Sequence, residues 1–395
     1  MQNKKKNCKE FSIKDVSVIT VITCFVSFFV AFNMKKTNNQ IELDEYSQEL
    51  LENYNYILHN SINNVSGEEL VSKAISGMVN SLDDQYANYI SKEDIDNFNV
   101  LINGEYEGLG IEITYNEYGA AIINNVFDNS PAQKQGLQKG DIIISINGES
   151  MLGKSLDEIK NYIHDFNNEE FELGYKRGDE EKEAKLKVEN IIIESVSTKI
   201  YSENENTIGY IKLNNFASNS YEQFRSGVES LERENIDSLI IDLRYNTGGQ
   251  LNIADNIISM FIEHGKTIYQ LKEKNEIIKY KDISDESRNY EIVVLVNHDS
   301  ASASELVAGA LKEVYGAKIV GTNTYGKGTA QKVITLANGE QYKLTTSEWL
   351  TANGNSIDKV GIQPDMSIEI SSDYINNPIE ENDNQLKKAL EILSK

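Results

Sequence analysis

Histidine and cysteine are both scarce in this chain of 395 residues, and each scarcity removes a class of chemistry. Only four histidines occur, His59, His164, His264 and His298, and none sits in a cluster with carboxylates. No zinc-type ligand set is expected, and neither a metal nor any other cofactor is predicted. A Ser-His-Asp arrangement needs a histidine beside its serine, and only His298, in a turn, stands near a serine-rich stretch. The two cysteines, Cys8 and Cys24, precede the globular region, which therefore contains no disulfide. That fits an exported protein that folds without oxidation. Basic residues are few as well: 38 Lys and Arg stand against 62 Asp and Glu, a formal charge of −24. Beyond residue 36 the chain carries 31 basic and 60 acidic residues, or −29, so no nucleic-acid partner is expected. A solubilising acidic surface accounts for the balance.

Apolar length is also rare, with one exception. Residues 16–32 contain no charge and follow Lys4, Lys5, Lys6 and Lys9. The run is at the short end for a membrane span, and no small-x-small cleavage site follows it. An uncleaved anchor is expected, with residues 1–15 as a cytoplasmic tail. The remainder then lies outside a bacterial cytoplasmic membrane, which the chain crosses once.

The chain is organised around residues 297–331. Ile292 to Val296 is a β-branched and leucine run, the mark of a buried strand. Val307, Leu311 and Val314 fall at i, i+4 and i+7, which predicts a helix over 304–315, ended by Gly316. Between them lies N-H-D-S-A-S-A-S-E. A serine there sits at a helix N-terminus, where free N–H groups and the helix dipole favour negative charge. Ser302-Ala-Ser-Glu305 also fits a capping box, in which Ser302 is only a cap. Further on, Lys327 stands between Gly326 and Gly328. Glycines let the backbone press close and turn the side chain inward. Burial lowers a lysine's pKa and frees some neutral amine, which can serve as a base for a serine.

The pattern N-x-x-S-A-S-A-S-E-x-x-A-G-A-L, then V-G-x-x-T-Y-G-K-G-x-x-Q, resembles the carboxyl-terminal processing peptidases, or tail-specific proteases. The resemblance implies Ser302 as nucleophile, Lys327 as general base and Gln331 as the group orienting the lysine. The serine-to-lysine spacing of 25 residues agrees with it. Leu239-Ile-Ile-Asp-Leu-Arg244 and Tyr-Asn-Thr-Gly-Gly249 are similar to a second family segment, with Thr247 where proline is usual. By resemblance the Gly248 region and the Ala303 amide form the oxyanion hole, with Gly248 and Gly249 both open as donor.

Residues 104–190 resemble a PDZ domain. Gly108, Leu109, Gly110 and Ile111 match the loop that grips a terminal carboxylate, and Ser130-Pro-Ala, Gly140-Asp and Ile146-Asn-Gly follow in order. Such a groove binds an extended peptide by strand addition. Arg177 is a candidate link from this domain to the active site, as the family suggests, or a surface arginine. Residues 43–103 read as a helical region, with faces at Leu50, Tyr54 and Ile57 and at Leu70, Ala74 and Met78. Packing or dimer contact is its expected role. The region includes Ser81-Leu-Asp-Asp-Gln-Tyr-Ala-Asn-Tyr-Ile, similar to the family's S-L-D-P-Y-S-x-Y-L, with Asp84 replacing proline. From residue 191 to 372 strands alternate with helices, and 373–395 form a terminal helix or tail.

The expectation is therefore an α/β multidomain protein. A membrane anchor, helical segment, PDZ domain (β-rich with helices) and a crotonase/ClpP-like peptidase core follow one another. It is read as a membrane-anchored serine endopeptidase for proteins with exposed C-terminal tails, forming a homodimer by resemblance. A catalytically silent PDZ adaptor is the alternative. An acyl-CoA enzyme shares only the fold analogy.

Overall fold

The computed structural model describes residues 44–92, 94–166 and 169–395. The apolar run at 16–32 lies outside them, and no helix among the described residues is long and apolar enough to cross a membrane. Among the described residues, 44–75 form a unit of their own. Its helix Glu45–Asn60 starts at Asp44, whose carboxylate accepts the Ser47 N–H at 2.7 Å. None of that helix is buried, so Leu50 and Ile57 of its apolar face stay in solvent.

In the second unit, Ile111–Tyr115 forms the edge of an antiparallel sheet. Ala121–Val126, Ile142–Ile146, Glu170–Arg177 and Glu180–Lys187 follow across it. Phe171, Leu173 and Tyr175 alternate inward and pack with Ile143, Ile146 and Ile159. The helix Leu156–His164 is held at its start by the Ser155 and Glu158 capping box. Glu105–Gly108 pairs with Glu189–Ile192 and brings the two ends of this domain together.

The peptidase-like part holds a six-stranded sheet, Val196–Glu203, Asn206–Leu213, Ser238–Asp242, Glu291–Val296, Lys318–Gly321 and Met366–Ser367 in that order. The first pair is antiparallel and the others parallel. Its central strands are buried on both faces, which is why they read as unbroken apolar runs. Leu239, Ile241, Ile292 and Val294 face the helices Ser220–Arg233, Leu251–Ser259 and Ala303–Ala310. Ile240, Val293 and Leu295 face the other way, onto the helix Asn384–Leu393. The predicted helix over 304–315 is α-helical for Ala303–Ala310 and then widens to a π turn, Leu311–Tyr315, before Gly316 at φ 92°.

A second sheet was not legible in the sequence. Its order is Asn88–Ile90, Gln341–Thr351, Thr267–Lys272, Ile277–Lys281, with Thr329–Thr335 also paired to Gln341–Thr351. Lys327 stands just before the Thr329–Thr335 strand. Asn88–Ile90, from the stretch read as helical, supplies the edge.

Candidate active site

The strand Glu291–Val296 ends in a turn tied from several sides. Ser300 accepts the Asn297 N–H and donates its hydroxyl to the Leu243 carbonyl, both at 2.9 Å. Asn246, fully buried, knits this turn to the glycine turn. Its carbonyl accepts the Ala301 N–H at 3.1 Å and the Ser304 hydroxyl at 2.7 Å. Ser302 follows at φ 56°, ψ −113°. An ordinary N-cap sits in the extended region without strain, so capping alone does not account for this backbone. Strained residues of this kind are held in place by their surroundings and gather at functional sites.

The glycine turn lies directly against the serine. A Cβ on Gly248 (φ 100°) would come within 2.7 Å of the Ala301 carbonyl and 3.0 Å of the Ala303 nitrogen. Only glycine permits that approach. Ala303 N–H is at the first helical position, where no intrahelical acceptor exists. The Gly248 N–H, by contrast, donates to Asn246 Oδ1 at 2.9 Å. Gly248 is thus beside Ser302 but its donor is engaged here, and of the two expected oxyanion donors only Ala303 is at a helix end.

Glu305 is the residue the sequence reading undervalued. Its carboxylate is wholly buried and accepts four hydrogen bonds. The Ser302 N–H reaches Oε2 at 2.8 Å and the Lys327 N–H reaches it at 2.9 Å. The Gly326 N–H and the Thr324 hydroxyl both reach Oε1 at 2.6 Å. One carboxylate therefore holds the serine turn and the lysine turn together. Its share in a capping box was visible, but no spacing rule reveals a reach to residues 19 to 22 positions onward.

The flanking glycines do let the lysine turn press close. A Cβ on Gly326 would lie 2.9 Å from the Val360 nitrogen, and one on Gly328 2.6 Å from the Asp358 nitrogen. The Lys327 carbonyl accepts the indole N–H of Trp349 at 2.9 Å. Burial pushes the Lys327 amine below its ordinary pKa, and Lys343 adds to this, while Glu305 and Asp84 work the other way. Its Nζ lies 4.5 Å from the centre of the Tyr86 ring.

Two expected roles are not realised in this geometry. Gln331 was to orient Lys327, yet its amide donates to the Thr329 and Thr345 hydroxyls at 3.0 and 3.1 Å. No hydrogen bond joins it to Lys327 among the described residues, because the strand register sets it opposite Thr345. Arg177 was a candidate link to the active site. Its guanidinium instead grips Asp141 of its own domain with two bonds of 2.7 Å and the Gly136 carbonyl with a third of 2.7 Å. His298 is exposed, with its ring 5.7 Å from that of Tyr325. Among the described residues no group of three or more His, Cys, Asp or Glu side chains is arranged to hold a metal ion.

In the PDZ-like domain, Gly108–Ile111 leads into the Ile111–Tyr115 strand, whose outer side pairs with no other strand of its sheet among the described residues. Gly110 (φ 74°) lies so close to Ser130 that a Cβ would fall 2.1 Å from the serine Cβ. The arrangement suits strand addition by an extended peptide.

Comparison with known proteins places these features. Residues 207–368 match peptidase family S41, 108–188 the PDZ domain, and 30–94 the "Activating protease CtpB N-terminal domain". A probable CtpA-like serine protease of Staphylococcus aureus (strain bovine RF122 / ET3-1) is 32% identical over 373 residues, 93% of this chain and 74% of the relative. Carboxy-terminal processing protease CtpB of Bacillus subtilis (strain 168) is 33% identical over 354 residues, 89% of this chain and 72% of the relative. A solved photosystem II D1 C-terminal processing protease shares the fold, with a TM-score of 0.50 and 22% identity over 89% of this chain and 98% of that one.

Proposed function

Since the chain belongs to the carboxy-terminal processing proteases of peptidase family S41, and is thus a serine-type peptidase, we propose that Ser302 is its nucleophile and Lys327 its general base. Neutral Lys327 takes the Ser302 hydroxyl proton as Oγ attacks the scissile carbonyl. The ammonium then returns a proton to the leaving amine, and water releases the acyl group by the same path in reverse. The Ala303 N–H stabilises the oxyanion, aided by the positive end of its helix. Gly248 completes the hole when its N–H leaves Asn246, and Gln331 turns to the lysine in that state.

The observation carrying this reading is the pair of hydrogen bonds that Glu305 accepts from the Ser302 and Lys327 amides, at 2.8 and 2.9 Å. A group buried to hold just these two turns together is needed if their side chains must meet.

The PDZ domain selects the substrate by its C-terminal tail, and the enzyme cuts within the chain. Residues 16–32 anchor it to the outer side of the cytoplasmic membrane, where it acts as a homodimer. The test uses residues 37–395 incubated with an unstructured protein ending in an apolar tail, followed by intact mass. Wild type cleaves and Ser302→Ala does not. Equal cleavage by a folded Ser302→Ala protein would sink the assignment. Cleavage by neither, even with residues 105–190 removed, would leave the adaptor reading standing.

A further inference from the structure

The Tyr86 segment falls in the stretch that matches the CtpB N-terminal domain, outside the S41 and PDZ matches, and packing or dimer contact was its expected role. The structure brings it to the lysine. Asn88–Ile90 pairs antiparallel with Gln341–Thr351, Asn88 opposite Lys343. Asp84 accepts the Thr345 N–H at 3.2 Å and the Tyr86 N–H at 2.9 Å, which fixes the turn between them. The Tyr86 ring then covers Lys327 Nζ at 4.5 Å, while Gln331 is engaged with threonines. Resting on the reading of Lys327 as base, we propose that Tyr86 is its positioning residue. The ring face holds the amine in place and helps set the pH at which it gives up its proton.

Several groups face the lysine. Lys343 on the neighbouring strand disfavours the ammonium, as burial does, and Glu305 and Asp84 favour it. An aromatic face attracts a cation through its quadrupole, so Tyr86 joins the second group. It does so as a neutral ring. Burial, with Tyr325 and Asp358 beside it, pushes the Tyr86 phenol up to about 12, so it supplies no formal charge at working pH. Tyr325, beside the Tyr86 phenol, follows Thr324, one of the donors to Glu305, so the phenol end lies next to the turn that carries the lysine.

The test places Phe, Leu and pentafluorophenylalanine at position 86 of residues 37–395. The fluorinated ring keeps the shape and reverses the quadrupole, so its effect does not depend on a packing defect. Two readouts are taken against pH: kcat/KM for peptide cleavage, and the rate of Lys327 acetylation followed by mass spectrometry. Tyr86→Phe, which keeps the ring face, should hold both midpoints at the wild-type pH. Tyr86→Leu and the fluorinated variant should move both midpoints to lower pH by about half a unit to one unit, and lower the plateau kcat/KM. A fluorinated variant that overlays Tyr86→Phe would overturn the proposal. So would Tyr86→Phe behaving like Tyr86→Leu, since the hydroxyl would then be the agent. Cleavage retained by Lys327→Ala would refute the base assignment on its own, and the acetylation midpoints would still decide whether the ring holds the amine.

Discussion

A single buried carboxylate shows how much of this site rests on individual residues. The charge of Glu305 is met by three backbone N–H groups and one hydroxyl, drawn from two turns of the chain. Gln is nearly its equal in shape but directs an NH2 group at some of those donors. Glu305→Gln should therefore lower kcat/KM by about 10²-fold or more through loss of charge-assisted bonds. An active-site titration of Ser302 would check this, and unchanged labelling would count against the clamp. Asp255 is the opposite case. Its Oδ1 is buried without a partner among the described residues, and burial, then Asp282, pushes its pKa up to about 6. The folded protein binds the extra proton between about pH 4 and 6, so stability falls as pH rises through that window. Asp255→Asn should be more stable than wild type to urea at about pH 7.5, with the gain vanishing near pH 4. An equal gain at both would show that charge is not the cause.

At the level of elements, the serine turn works because a strand and a helix meet there without room to relax. The strained Ser302 is held between the strand Glu291–Val296, buried from Ile292 onward, and a helix in which every residue from Ala303 to Ala310 is buried. The terminal helix contributes in a similar way. Asp383 caps it through the Leu386 N–H at 2.9 Å and also binds Arg244 at 3.0 and 2.8 Å. Arg244 in turn binds Asp242 at 2.6 Å and begins the glycine turn. The three side chains are almost fully buried. Asp383→Ala leaves the buried guanidinium with only Asp242 and Gln385 and removes one of its two carboxylates, which should cost roughly 3–5 kcal/mol in a urea titration. A cost under about 1 kcal/mol would mean the pair is structurally idle.

Across the whole molecule, the peptidase part is not confined to residues 191–372. Asn88–Ile90 closes the edge of its second sheet, and Asp84 and Tyr86 stand at the lysine. A protein of residues 191–395 keeps Ser302, Lys327 and Gln331 but exposes the edge of Gln341–Thr351. It should show no peptide cleavage and should aggregate. Activity equal to that of residues 37–395 would overturn this view of the domain boundary.

Local order and periodicity were enough to read the strand, serine turn, helix and caged lysine, since each depends on neighbours within a few positions. The α/β alternation was legible for the same reason, and the PDZ-like series by resemblance. The resemblance then supplied roles, but not geometry. Only the tertiary structure set Glu305 across two turns and Tyr86 over Lys327. It alone placed Asp383 against Arg244, across 139 positions of chain. It also turned Gln331 to Thr345 and Arg177 to Asp141. Those partners are chosen by sheet register and burial, which join distant segments, and no pattern along the chain records which distant residue will arrive.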